Sequence, residues 1–311
     1  MIRPFIRRIA KPEYFLRPGQ ILRRLARRRS GCIPALALVD LPWGFPFEIF
    51  PRETIGGGIW RLGVHELAVS EVLWRLIDPG ESVADVGANS GYFTSLMAAR
   101  TGARGVVWAF EPHPEMRKRL VRNIGLWREL IGENKIVVFP FALSDASGNA
   151  DLCLPASFDV NTGTAFIRNP SDSLSKPLPG NDVIRIETRR MDGLLAALEV
   201  PTVVKIDVEG HEAQVLAGAG ELLSRGRARD IVFEEHRAFP AESMRLLERR
   251  GYSLFKIRRG ILRPLLLSPD APPENRAWEA PNYLATFDPE RAHARLRKVG
   301  WMCLSGTGRT V

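Results

Sequence analysis

The chain has 311 residues, 45% of them hydrophobic and 25% charged, an ordinary globular composition with room for one large α/β domain. Its three cysteines, Cys32, Cys153 and Cys303, make no CxxC pair or disulfide framework, and its five histidines make no HExxH. Together these point away from a zinc site and toward a reducing cytoplasm. The net charge of +9 comes from one place. Residues 1–30 hold ten Lys/Arg and one acid, Glu13, so the totals of 44 and 35 leave 34 of each sign over the rest.

Residues 1–50 read as a basic N-terminal arm. Pro4, Arg7, Arg8 and Lys11 interrupt any signal-like apolar core, and the stretch from Cys32 to Phe50 is too broken by charge and proline to span a bilayer. Ile21, Leu22 and Leu25 share one face of a short predicted helix ringed by arginines, which suits weak contact with an anionic membrane or an acidic partner. A nucleic-acid role rests on this arm alone, because the remaining chain is charge-balanced.

From residue 64 strands and helices alternate. Val69, Val72, Leu73, Leu76 and Ile77 mark a helix face that Asp78-Pro79-Gly80 stops. Ser82–Val86 is predicted as a buried strand, followed by a glycine loop and a helix carrying Phe93, Leu96 and Met97. Val106–Phe110 is the second strand, and Pro114 suits the first position of the next helix. Ile136–Phe141 follows as the third. The alternation resumes with Thr202–Ile206, a helix through Val215 to Leu223, and Ile231–Phe233. Tyr252–Ile257 and Tyr283–Phe287 are predicted to pair antiparallel at the end. This order implies a doubly wound, mostly parallel sheet of seven strands over residues 51–290, with 291–311 as a C-terminal tail. Pro155–Asp182 is an inserted polar loop whose flanks, 150–154 and 183–187, are expected to close as a hairpin.

The loop Val83-Ala-Asp-Val-Gly-Ala-Asn-Ser-Gly carries the first chemical signal. Gly87 permits a tight turn, Gly91 clears the helix start, and Asp85 ends the strand. Glu111, at the end of the next strand, suits the two hydroxyls of a ribose. Asn89 stands where a dinucleotide fingerprint needs its second glycine, which disfavours pyrophosphate; S-adenosylmethionine has no phosphate and an ammonium that Asp85 suits. The absence of GxxxxGK[ST] disfavours an NTPase.

The second signal is Lys205-Ile-Asp-Val-Glu-Gly-His-Glu at the end of the fourth strand. Asp207, Glu209 and His211 there, with Glu234, Glu235 and His236 after the fifth, converge on the same edge. His211 is the leading general base, with Asp207 as base or orienter. A third arrangement has Asp207 and Glu235 holding Mg²⁺ to acidify a hydroxyl.

In these segments the chain resembles the FkbM family of methyltransferases. The matching pieces are Asp85-Val-Gly-Ala-Asn-Ser-Gly-Tyr-Phe, Phe110-Glu-Pro-His-Pro, Ala142-Leu-Ser-Asp, the Lys205–Glu212 stretch and Asn282-Tyr-Leu-Ala-Thr. The resemblance implies a Rossmann-like fold, S-adenosylmethionine as cofactor, and O-methylation of a sugar, glycan or natural-product hydroxyl. Carried over by position, Asp85, Gly87, Asn89, Gly91, Glu111 and Ala142 line the cofactor site. RNA methylation through the basic arm and cofactor binding without catalysis are the rival readings. Neither the acceptor nor the oligomeric state can be read from the sequence.

Overall fold

The computed structural model describes residues 12–13, 19, 32–132, 135–168, 182–272 and 280–306. The expected amphipathic helix at 21–29 lies outside them.

Five strands form the parallel centre: β3 (Ser82–Val86), β4 (Val106–Phe110), β5 (Lys135–Phe139), β10 (Val203–Ile206) and β11 (Asp230–Glu234). β3, β4 and β10 are buried along their whole length. That is why they read as continuous apolar runs rather than alternating ones. β14 (Asn282–Thr286) joins β11 antiparallel, and β12 (Ser253–Arg259) joins β14 antiparallel, as the sequence predicted for the last two strands. The sheet has eight strands rather than seven, because β13 (Pro264–Leu267) folds back on β12 as an edge hairpin. The order β13-β12-β14-β11-β10-β3-β4-β5 reverses direction between β3 and β10. A doubly wound sheet opens its ligand crevice at such a reversal, beyond the carboxyl ends of the strands.

Helices α2 (Leu67–Leu76) and α3 (Tyr92–Thr101) are almost wholly buried. The amphipathic α4 (Pro114–Ile131) starts at Pro114, and the His113 ring caps it by accepting from the Glu115 and Met116 amides. The helix expected through Leu223 is broken into α5 (Glu212–Ala217) and α6 (Gly220–Leu223).

Both expected ends need correction. Residues 37–50 are part of the folded domain: β1 (Ala37–Asp40) and β2 (Pro46–Ile49) form a hairpin that inserts Trp43, Phe45 and Phe47 into the core. The Trp43 indole donates to Ser95 Oγ (3.1 Å), and that of Trp127 donates to the Pro46 carbonyl (2.7 Å). Nor are residues 291–306 a loose tail. α7 (Pro289–Leu296) and α8 (Met302–Ser305) pack on α2, where Glu71 accepts the Met302 and Cys303 amides, each at 2.8 Å. Arg75, paired with Glu71 at 2.6 Å, donates to three carbonyls of the same segment. Buried charges so fully bonded hold a segment tightly.

A second, four-stranded sheet covers one end of the crevice. β7 (Gly148–Leu154) and β9 (Asp182–Arg189) pair antiparallel over seven residues, flanked by β6 (Ala142–Leu143) and β8 (Phe166–Ile167). From its inserted loop, Val160 accepts the Thr54 amide at the start of α1 (Thr54–Leu62), and Thr162 accepts from Asn89. No helix among the described residues is long and apolar enough to cross a membrane.

Candidate active site

A cavity of about 1120 Å³ opens at the carboxyl ends of β3, β4, β10, β11 and β12. A space this large, beyond the usual ~300–1000 Å³ of a ligand site, can take two reactants side by side.

The half under β3 and β4 is made mostly of backbone. β3 ends at Val86 and turns through Gly87-Ala-Asn-Ser into α3. The Gly87 and Ala88 amides both donate to the Phe110 carbonyl (3.0 Å each), which ties this loop to β4. Gly87 has φ +82°, and a Cβ there would lie 1.9 Å from the Asp207 carbonyl oxygen. Its glycine is thus dictated first by the neighbouring strand end, not by a ligand. Asn89 also has positive φ; its side chain bonds the Ser90 amide and the Thr162 carbonyl, joining the loop to the insertion. Glu111 is held from both sides: Oε2 accepts the Asn89 amide (2.7 Å) and Oε1 the His113 amide (2.8 Å). Burial pushes this carboxyl up to about 7. Each oxygen keeps a lone pair for a further donor.

Six cofactor residues were expected here. Gly87, Asn89, Glu111 and Ala142 line the cavity; Asp85 and Gly91 do not. The Asp85 side chain is buried below the loop, where Oδ2 accepts from Thr94 Oγ1 at 2.6 Å and the residue sits in register beside Lys205. Burial raises its carboxyl even so. Gly91 starts α3 at φ +96° with the Leu120 side chain packed against it. Both residues shape the loop from behind.

The half under β10 and β11 is made of side chains. Lys205, buried, donates to Asp207 Oδ2 at 2.8 Å and sits 4.3 Å over the Phe93 ring. Burial alone would raise Asp207, but the adjacent ammonium overrides it and holds the carboxyl below its ordinary value. Glu234 lies close enough for the two carboxyls to influence each other. Burial, with the Asp207 and Glu209 charges nearby, pushes Glu234 well above the carboxylate range. His236 reaches Glu209 at 3.3 Å and Glu234 at 3.6 Å, and these two carboxylates push it up to about 10. On the facing wall His65 is pushed down to about 4 by burial, so it is neutral at pH 7.

Of the three expected catalytic residues only Asp207 lines this cavity. His211 lies at the start of α5 with Nε2 2.9 Å from Ser144 Oγ, and burial lowers it to about 4. It fastens the Ala142–Asp145 segment to α5. Glu235 is fully buried on the other face of β11, accepting the Arg237 amide and the Ser243 hydroxyl. It does not share the cavity with Asp207, and the two are not among the residues close enough to hold one metal ion. Among the described residues, Glu209, Glu234 and His236 are the group close enough to hold a metal. In this structure the three are joined as ion pairs, with His236 between Glu209 and Glu234.

The sequence brought Glu234 and His236 to this edge without giving them a role, noted Lys205 only as part of the fourth-strand signature, and passed over His65. Two-residue alternation carried the signal for the first two: with Phe233 and Glu235 inward, 234 and 236 must face the other way. His65 precedes the regular pattern and carried no signal.

The residues present fit S-adenosylmethionine. Glu111 offers two fixed acceptor oxygens beside apolar walls from Val86, Phe110, Pro112 and Leu143, and the loop leaves Ala88, rather than a bulky side chain, facing the space.

Comparison with known proteins agrees. The family model for the FkbM methyltransferase domain matches residues 85–254, more than half of the chain. The hexuronic acid methyltransferase AglP of Haloferax volcanii is 27% identical over 158 residues, 51% of this chain and 54% of that protein. The chain thus spans about half the length of that relative. The 2-O-methyltransferase NoeI of Sinorhizobium fredii is 29% identical over 174 residues, 53% of this chain and 67% of that one. A crystal structure of an FkbM methyltransferase from Methylobacillus flagellatus superposes with a TM-score of 0.42 at 18% identity, covering 72% of this chain and 46% of that one. By its matched domain, the chain belongs to the FkbM family of S-adenosylmethionine-dependent methyltransferases.

Proposed function

We propose that this protein transfers a methyl group from S-adenosylmethionine to a hydroxyl of a sugar or glycan. One observation carries the reading. Glu111 and the Asp207–Glu234 pair open on the same cavity from different strand ends, one set up to hold hydroxyls and the other to manage a proton. The relatives named for a hexuronic acid and for a 2-O position favour a sugar hydroxyl over a phenol or an amine.

Glu111, with Gly87, Ala88 and Asn89 around it and Ala142 opposite, would hold the adenosine end. When bound, the cofactor supplies an activated methyl group whose departure leaves a neutral sulfur. The protein's remaining tasks are alignment, exclusion of water and removal of one proton, of which alignment alone can contribute on the order of 7–11 kcal/mol. A sugar hydroxyl is a poor acid, so a base must take its proton as the new C–O bond forms. Glu234 is that base in this reading, because burial places its ionisation closer to neutrality than that of an ordinary carboxylate. Lys205 keeps Asp207 ionised, and His236 orients Glu234.

The test is calorimetry with S-adenosylmethionine, then methyl transfer to a panel of sugars, phenols and amines. Cofactor binding with turnover on hydroxylated sugars is expected. Turnover confined to amines or to RNA would overturn the reading.

A further inference from the structure

The charged groups of the cavity wall mostly cancel in pairs. Lys205 meets Asp207, His236 meets Glu209 and Glu234, and Arg259 meets Glu13 of the N-terminal arm at 2.6 Å. Lys256 and Arg61 both line the cavity, and neither forms an ion pair with a carboxylate among the described residues. Lys256 is the more telling of the two. It is buried, its ammonium donates to the Ala271 carbonyl, and it lies 5.6 Å from the Tyr283 ring. Burial and the adjacent Arg258 hold it below the ordinary lysine range, and Asp270 only partly offsets them. Arg258, two residues on and on the same side of β12, donates to the Pro272 carbonyl. A buried cation with no carboxylate partner among the described residues is costly unless something supplies one.

The position of this cluster excludes the cofactor as the source. β12 is four strands from β3 in the sheet, roughly 19 Å at the usual ~4.8 Å per strand, whereas it is two strands, roughly 10 Å, from Glu234. That shorter span suits one sugar ring reaching from the proposed base to a lysine side chain.

Building on the sugar-hydroxyl reading, we propose that Lys256, with Arg61 on the same cavity, forms a subsite for an anionic substituent of the acceptor, a carboxylate or a phosphate, and so makes the enzyme select acidic sugars. The anion pairs with the Lys256 ammonium and fixes which hydroxyl reaches Glu234. Neutral sugars of the same ring lack that anchor.

The experiment uses the full-length protein loaded with S-adenosylhomocysteine. Calorimetric titrations with glucuronate, glucose 6-phosphate and methyl glucoside are run on wild type, Lys256→Met, Lys256→Arg and Arg61→Gln. Methyl-transfer assays with S-adenosylmethionine follow on the same acceptors. Wild type is expected to favour an acidic sugar over the neutral one by about 10- to 100-fold, the usual worth of a charged hydrogen bond. Lys256→Met should remove most of that preference through KM, Lys256→Arg should restore it, and Arg61→Gln should reduce it by a smaller factor. Preference for glucuronate alone or for the phosphosugar alone identifies the anion. Equal binding of neutral and acidic sugars by wild type overturns the subsite, as does an unchanged preference in both Lys256→Met and Arg61→Gln. Failure to bind S-adenosylhomocysteine at all would instead strike the parent reading. If Lys256→Met does not fold, the wild-type preference and Arg61→Gln still decide.

Discussion

The two halves of the cavity are built on different principles. Under β3 and β4 the chain commits its own backbone: the Gly87 and Ala88 amides bind a neighbouring carbonyl, and Glu111 is gripped by two amides. Under β10, β11 and β12 it commits paired side chains, Lys205 with Asp207 and His236 with Glu209 and Glu234. Backbone geometry recognises one constant ligand and tolerates little change. A set of charged side chains is adjustable, and it is where proton transfer and acceptor choice can differ between relatives sharing a fold.

The sharpest way to break that contrast is Glu234→Gln. Removing a general base is expected to lower kcat by about 10²–10⁴-fold, while calorimetry should find cofactor affinity changed only a few-fold, since Glu234 is two strands from β3. The pH profile sharpens it further. A base must be ionised to accept a proton, and burial raises Glu234, so kcat/KM in wild type should climb as pH rises through that ionisation. The climb should vanish in the variant. A tenfold weaker cofactor affinity with unchanged kcat would reverse the roles assigned to the two halves.

Gly87→Ala comes next and attacks the backbone half. The added Cβ faces a backbone oxygen at 1.9 Å on a residue of positive φ, and neither can yield without moving a central strand end. Overpacking and strain together are expected to cost about 3–5 kcal/mol, visible as a lower denaturant midpoint and loss of cofactor binding. A stable variant that binds normally would show the loop more adjustable than its bonds imply.

Glu111→Gln should be smaller and read chiefly in binding, with about 1–3 kcal/mol of lost stability from the backbone amide that loses its acceptor. Losing a charged acceptor for ribose hydroxyls is expected to weaken the cofactor by about 10- to 100-fold. Because burial pushes this carboxyl up to about 7, it is protonated below that pH and loses acceptor capacity. Wild-type affinity should therefore fall as pH drops below about 7, approaching tenfold per unit, and Glu111→Gln should flatten the curve.

How far these halves were legible in the sequence follows from the same contrast. The backbone half was nearly all readable: a buried parallel strand is a run of apolar residues, and a glycine loop followed by an acid at the next strand end announces itself. Four of the six expected positions line the cavity, while Asp85 and Gly91 act from behind the loop. The side-chain half was readable only as a crowd of charges. Which of Glu234 and Glu235 faces the cavity depends on one step of strand alternation, and His65 and Lys256 reach it from segments remote in sequence. The β1–β2 hairpin was missed because prolines and charges made residues 32–50 look like linker, although Trp43, Phe45 and Phe47 fill the core.

His211→Ala gives the smallest expected effect on chemistry and is the closest check on that distinction. Sequence alone made His211 the leading base, as the histidine nearest the fourth strand end. In the fold its imidazole bonds Ser144, lies outside the cavity lining, and is held neutral by burial. Removing it deletes one hydrogen bond of a buried hydroxyl that still donates to Asp145, which is expected to cost about 0.5–1.5 kcal/mol of stability and to leave kcat within a few-fold. A urea midpoint that drops while single-turnover methyl transfer persists would place His211 among the residues that hold the Ala142–Asp145 segment against α5. A hundredfold loss of turnover with stability intact would instead mean that this segment opens during catalysis and brings the imidazole to the acceptor.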